Sequence, residues 1–156
     1  MTARAIWYAA LTYAAQFNAG ADLNSLASGS CAVSSTVYDN TTNLYTDAWV
    51  SCSLPTLATG AGAPSLDVYL LPLNQDGTTY GDGAASGTVA PSAAYYVGSI
   101  TWAPSLPSGT QVGSIQLPTG MPPTKFKLAV VNNIGNALAA SGNTVALAPD
   151  TLNLNG

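Results

Sequence analysis

Breaks dominate this chain. Ten prolines and fifteen glycines are scattered through 156 residues, leaving little room for helices of ordinary length. The β-branched and aromatic runs between the breaks are strand-sized: CAVSSTVY (31–38), AWVSCSL (48–54), SLDVYLLPL (65–73), YYVGSITWA (95–103), GSIQL (113–117), KFKLAVVNN (125–133), NALAAS (136–141) and NTVALAP (143–149). Short runs separated by regular turn signals predict an all-β protein, a single antiparallel β-sandwich of jelly-roll-like type. The spacing places an N-terminal arm or first strand over 1–27, the sandwich over 28–149 and a tail over 150–156. One helical turn is expected at ADLNSLASG (21–29), capped by Asp22 and ended by Gly29.

Alternation suggests a register for the first pair of strands. Cys31, Val33 and Val37 share one face, as do Ala48, Val50, Cys52 and Leu54. A hairpin through NTTN (40–43) sets Val33 opposite Val50 and Cys31 opposite Cys52. The alternative is that DNTTNLYT (39–46) crosses between sheets. The two cysteines accordingly have two readings: small, reduced, buried residues, or a Cys31–Cys52 disulfide formed in an oxidising medium.

The charge inventory narrows function. Only 6% of residues are charged while 47% are hydrophobic, and the net charge is −4. Arg4, Lys125 and Lys127 are the only cations, too few to neutralise a run of phosphates, so nucleic acid is not an expected partner. Lys125 and Lys127 flank Phe126 as an edge-strand or surface pattern would. There is no histidine and no glutamate, which removes the commonest general base and metal ligand. No Ser is expected to be activated, and the chain reads as a non-enzyme without cofactor or metal. NQDGTTYGDG (74–83) carries Asp76 and Asp82, but its spacing is that of a turn rather than an EF-hand. The opening run to Phe17 is broken by Thr12 and Gln16; it is too short and polar to span a bilayer, and a secretory signal is a lesser reading.

Four stretches carry a resemblance. LNSLASGS (23–30), YDNTTNLYTDAWV (38–50), VYLLPLNQDGTTYGDG (68–83) and PPTKFKLAVVNNIGNALAASGNTVAL (122–147) occur in order over most of the chain. Together they resemble a family of small virion structural proteins of tailed bacteriophages, the last block most specifically. That resemblance implies a β-sandwich coating the head, as decoration or cement proteins do. It implies the major capsid protein as partner, self-association (a trimer being one form), assembly in the host cytoplasm and residence on the capsid surface. Contact residues would come from the N-terminal stretch: Ile6, Trp7, Tyr8, Leu11, Tyr13 and Phe17, since buried aromatics dominate interfaces. The competing reading makes them an ordinary first strand. Other functions consistent with the sequence are a tail-associated or head-fibre-base protein, or a carbohydrate- or surface-binding module stacking on Trp49, Trp102, Tyr95 and Tyr96.

Overall fold

In the computed structural model, residues 14–17, 22–55, 63–83, 89–103, 109–117 and 120–150 are described. They form strands β1 (Ala14–Ala15), β2 (Cys31–Val33), β3 (Tyr38–Asp39), β4 (Asp47–Leu54), β5 (Ser65–Pro72), β6 (Tyr96–Thr101), β7 (Gln111–Gln116), β8 (Lys125–Asn133) and β9 (Thr144–Asp150). A short 3₁₀ turn, Ala93–Tyr95, precedes β6, and no α-helix occurs among the described residues. Two antiparallel sheets pack as a β-sandwich. One has the order β1-β9-β4-β7; the other has the order β2-β8-β5-β6, with β3 also on β8.

The pairings nest. β5 pairs with β6, β4 with β7, β2 and β3 with β8, and β1 with β9. The chain is thus doubled into a ribbon whose tip is β5–β6. Two further pairings, β4 with β9 and β5 with β8, join the ribbon to itself once it is wound up.

Period-two alternation builds the core. β4 turns Ala48, Val50, Cys52 and Leu54 inward against Leu66, Val68 and Leu70 of β5 and Phe126, Leu128 and Val130 of β8. The outer face of the five-stranded sheet carries a second apolar cluster of Cys31, Val33, Tyr69, Leu71, Ala129 and Val131. Tyr80 and Tyr95 pack against it from the loops above. Gly81 lies close on Leu71 at φ +56°, where an added Cβ would stand 2.8 Å from Leu71 Cδ2. Both the backbone angle and the space exclude a side chain there.

Several local expectations are corrected. The 31–38 run does not pair with β4: β2 and β4 lie in different sheets, and 39–46 is the crossover. Val33 stands opposite Ala129, and Val50 opposite Leu147 and Ile115. The run is also interrupted. Its register against β8 shifts by two residues between β2 and β3, where Ser34 Oγ accepts from Leu128 N–H and donates to Thr36 O. NALAAS is not a strand but part of the connection from β8 to β9. The helical turn at 21–29 does not form. Asp22 instead accepts from the amide and hydroxyl of Ser35, and residues 22–25 make tight turns with Ser25 at φ 56°. β8 is no edge strand, being paired on both sides. Lys125 meets Asp39 at 3.4 Å at the surface, and Lys127 Nζ lies 5.1 Å from the centre of the Tyr80 ring.

Two of the resemblance-bearing stretches form one unit. Ser25 N–H donates to Ala139 O, Leu138 N–H to Leu26 O, Gly29 N–H to Asn132 O and Asn132 N–H to Ser30 O. Fully buried Asn132 sends its side-chain amide to Leu26 O and Asn136 O and accepts from Ile134 N–H. Buried Asn143 reaches Asn24 Oδ1 and Ala139 O. Leu23, Ile134 and Leu138 seal the knot against the core. LNSLASGS and NNIGNALAASGNT are therefore patterned because they tie each other down across more than a hundred residues.

Candidate functional surface

The N-terminal contact candidates divide. Ile6, Trp7, Tyr8, Leu11 and Tyr13 lie outside the described residues. Phe17 is a core residue, 2% exposed, and is not free to anchor a partner. Gln16 is buried beside it, donating its backbone N–H to Val145 O. Just before it, Ala14 and Ala15 pair with Leu147 and Ala146, so the sandwich includes residues of the 1–27 segment.

Cys31 and Cys52 are both free and buried, in different sheets and different apolar clusters. Cys31 faces Val131 across its pair, while Cys52 faces Val145 and Gly113. Sheets stack ~10 Å apart, and Cys31 points away from the interior that holds Cys52; of the two readings, the cross-strand bridge has no geometry here and the reduced, buried pair is what the structure has. Burial pushes the Cys31 thiol up to about 11, with nearby Asp82 adding to the rise. Burial pushes Cys52 up to about 12, against a smaller opposing effect of a backbone hydrogen bond at Gly113. Neither is a poised nucleophile.

The 74–83 loop spends Asp76 on its own turn and Asp82 on the neighbouring 3₁₀ turn. Asp76 accepts from the Thr79 hydroxyl at 2.6 Å and from the Thr78 and Thr79 amides, each at 2.9 Å. These bonds hold it down to about 2, the Thr79 hydroxyl contributing most. Asp82 accepts from Ser92 N–H at 2.6 Å, tying the loop to the 3₁₀ turn. Among the described residues no group of three or more His, Cys, Asp or Glu comes together.

The four expected stacking aromatics are dispersed. Trp49 alternates onto the outer face of the four-stranded sheet. Trp102 packs against the core beside Gly113, with its indole N–H buried and unpartnered. Tyr95 covers the second apolar cluster. Only Tyr96 stands open, at 44% exposure.

Two surfaces remain. On the four-stranded sheet, Trp49, Ser51 and Ser53 of β4 are flanked by Val112, Ser114 and Gln116 of β7 and by Thr144 and Ala146 of β9, while Ala148, next along β9 on that side, is buried. This field carries no ionisable side chain; Asp47 and Asp150 pair at its rim. On the five-stranded sheet, Asp67 of β5 stands directly across from Ser99 of β6, whose hydroxyl donates to Asp67 Oδ1. Asn133 of β8 donates to Asp67 Oδ2 at 2.7 Å, and Tyr96 OH lies 2.7 Å from Ser99 Oγ.

A β-bulge assembles that second group. The register of β5 on β6 shifts between Val68 and Tyr69. Val97 turns to the core and an added Cβ on Gly98, at φ +149°, would collide with Ile115, so both face inward. Tyr96 and Ser99, three apart, are thereby brought onto the same outer face. The lone glycine in YYVGSIT is the sequence signal that marks such a bulge; of the cluster it creates, only Tyr96 was singled out from the sequence, as one of four stacking aromatics.

In comparisons with known proteins, no family model, no curated protein and no solved structure matches the chain.

Proposed function

We propose that this protein is a non-enzymatic structural component of a tailed-bacteriophage virion, a decoration or cement protein that binds the assembled major capsid shell. The sequence resemblance suggests the setting. The observation that carries the reading is the outer face of the four-stranded sheet, uncharged from Trp49 through Ser51 to Ser53 and their cross-strand partners, with charge only at the rim in Asp47 and Asp150. Such a face can lie against a neighbour without stripping water from charges. Three strands of this length cover roughly 300 Å², well under half of the ~800 Å² per partner of a standard interface. One contact of that size is weak, and repetition over a symmetric shell, with further contacts from the N-terminal stretch or a second copy, is what makes it hold. The nested pairing supports taking the sandwich as a jelly roll, an architecture shared by viral capsid and lectin domains.

Co-sedimentation with undecorated heads tests the proposal. The protein is expected to pellet with heads in stoichiometric amounts, and Ser51→Arg and Ser114→Arg to stay in the supernatant while melting normally. Failure of the wild-type chain to bind heads, or its presence in purified particles in only a few copies, would overturn the shell assignment; the latter points to the tail.

A further inference from the structure

We propose that Asp67, Ser99, Asn133 and Tyr96 form a binding site for a neutral pyranoside. Asp67 accepts hydrogen bonds from adjacent ring hydroxyls, and Tyr96 packs against the C–H face of the sugar. This inference is independent of the shell assignment.

The chemistry of the cluster selects the ligand. An ionised carboxylate offers about four acceptor positions. Asp67 spends one on Ser99 and one on Asn133, leaving one lone pair on each oxygen. The lysines are engaged elsewhere, Lys125 with Asp39 and Lys127 over Tyr80. A ligand here must therefore bring several hydrogen-bond donors and no negative charge. Vicinal hydroxyls meet that demand, and their spacing suits the two oxygens of one carboxylate.

The group is also held in advance. Asp67 and Ser99 sit opposite each other on paired strands, and β8 supports Asn133 from the other side. Tyr96 is fixed twice: its ring lies edge-to-face with Tyr69, centroids 5.5 Å apart at 65°, and its hydroxyl bonds to Ser99. A tyrosine so pinned yet 44% exposed presents apolar area at little entropic cost. Ser65 and Thr101, paired across the same face, extend the polar strip beyond Asp67. The backbone departs from regular pairing at the one place that brings Tyr96 to Ser99, as bulges beside binding sites do. Asp67 is the only carboxylate of the group. Glycoside cleavage ordinarily uses two flanking the bond, so the site binds sugar without cutting it.

The test uses the full chain. Amide NMR spectra are recorded with methyl α-D-glucopyranoside, methyl α-D-mannopyranoside, methyl β-D-galactopyranoside and N-acetylglucosamine at millimolar concentrations. Affinity electrophoresis follows in gels containing dextran, mannan or galactan. At least one sugar is expected to shift resonances confined to β5, β6 and the end of β8, and its polymer to retard the protein. Asp67→Asn and Tyr96→Ala should each weaken binding about tenfold or more, the cost of one charge-assisted bond or one aromatic anchor. Val112→Ser, on the outer face of the other sheet, should bind as the wild type. Ser99→Ala, which keeps the Asp67–Asn133 bond, replaces Asp67→Asn if thermal melts show that variant misfolded. The proposal is overturned if no sugar shifts any resonance, if shifts map to the other sheet, or if well-folded variants bind undiminished.

Discussion

Asn132 and Asn133 are neighbours of identical chemistry with opposite fates, and replacing each by alanine separates architecture from surface. Asn132 is fully buried and makes three side-chain bonds to backbone, to Leu26 O, Asn136 O and Ile134 N–H, at 2.8, 2.9 and 3.0 Å. Each is worth ~1 kcal/mol net. Leu26 O keeps a second donor in Leu138 N–H, and Asn136 is exposed to water, so only the Ile134 amide is left stranded. The stranded donor adds up to ~1 kcal/mol, for a total of about 3–4 kcal/mol. Asn133 is exposed and its one bond reaches Asp67; its loss should cost ~0.5 kcal/mol or less. In urea titrations, Asn132→Ala is expected to lower the midpoint with the slope unchanged. A chain of this size loses ~2–4 °C per kcal/mol, so its Tm should fall by about 10 °C. If Asn132→Ala is no more than ~1 kcal/mol worse than Asn133→Ala, the knot between LNSLASGS and the closing block does not hold the sandwich together.

Other perturbations follow from the same structure. Phe17→Ala should destabilise by about 3–5 kcal/mol in thermal melts, as emptying a buried aromatic site does, and a chain lacking residues 2–18 should not give the cooperative melt of the intact protein. Both thiols should resist a disulfide reagent at neutral pH and react promptly in urea. Their folded pKa values, about 11 and 12, lie above the ordinary 9.0. The stability this gives is whole below about pH 9 and drains away as pH climbs through 11–12, measurable as a falling urea midpoint. Asp76, depressed to about 2, acts at the other end: its contribution is present above the ordinary 3.8 and lost as pH falls through about 2, so Asp76→Asn should flatten that part of the acid profile. Gly98→Ala, which breaks the bulge geometry and strikes Ile115, should lower Tm and displace the Tyr96 resonances.

Local pattern revealed the strands but not their partners. β4, β5, β6, β8 and β9 were legible as β-branched and aromatic runs between breaks; β4 alternates without a fault, while β5 and β8 bury both faces along much of their length. Partner choice failed where proximity in sequence was trusted. The hairpin register drawn for the run beginning at Cys31 gave way to the alternative, a crossover at 39–46, and only β5 and β6 of the nested pairs are consecutive in the chain. The break at Ser34 was hidden because a side-chain hydroxyl stands in for the ladder there, and nothing in SST announces it. Asp22 looked like a helix cap because its use, accepting from Ser35, lies thirteen residues away. Of the two readings of Lys125 and Lys127, edge or surface, the edge fails because their strand is central, and both sit over surface neighbours. The Asp67 cluster needs three strands to come together; Tyr96 was named as a stacking aromatic, but its partners Asp67, Ser99 and Asn133 were not.

Nesting also dictates an order of events. The tip pair, β5 and β6, closes the shortest loop, and each pair outward from it spans more chain, until β1 meets β9 across some 130 residues. The entropy of closing a loop grows with its length, and topologies dominated by distant pairings fold in milliseconds to seconds rather than microseconds. Folding should therefore zip from the middle of the chain toward both ends. The strand made first is among the last to find its place, and until it does, β9 has an open edge. A newly made molecule thus passes through a stage in which it is nearly complete yet able to accept a strand from a neighbour.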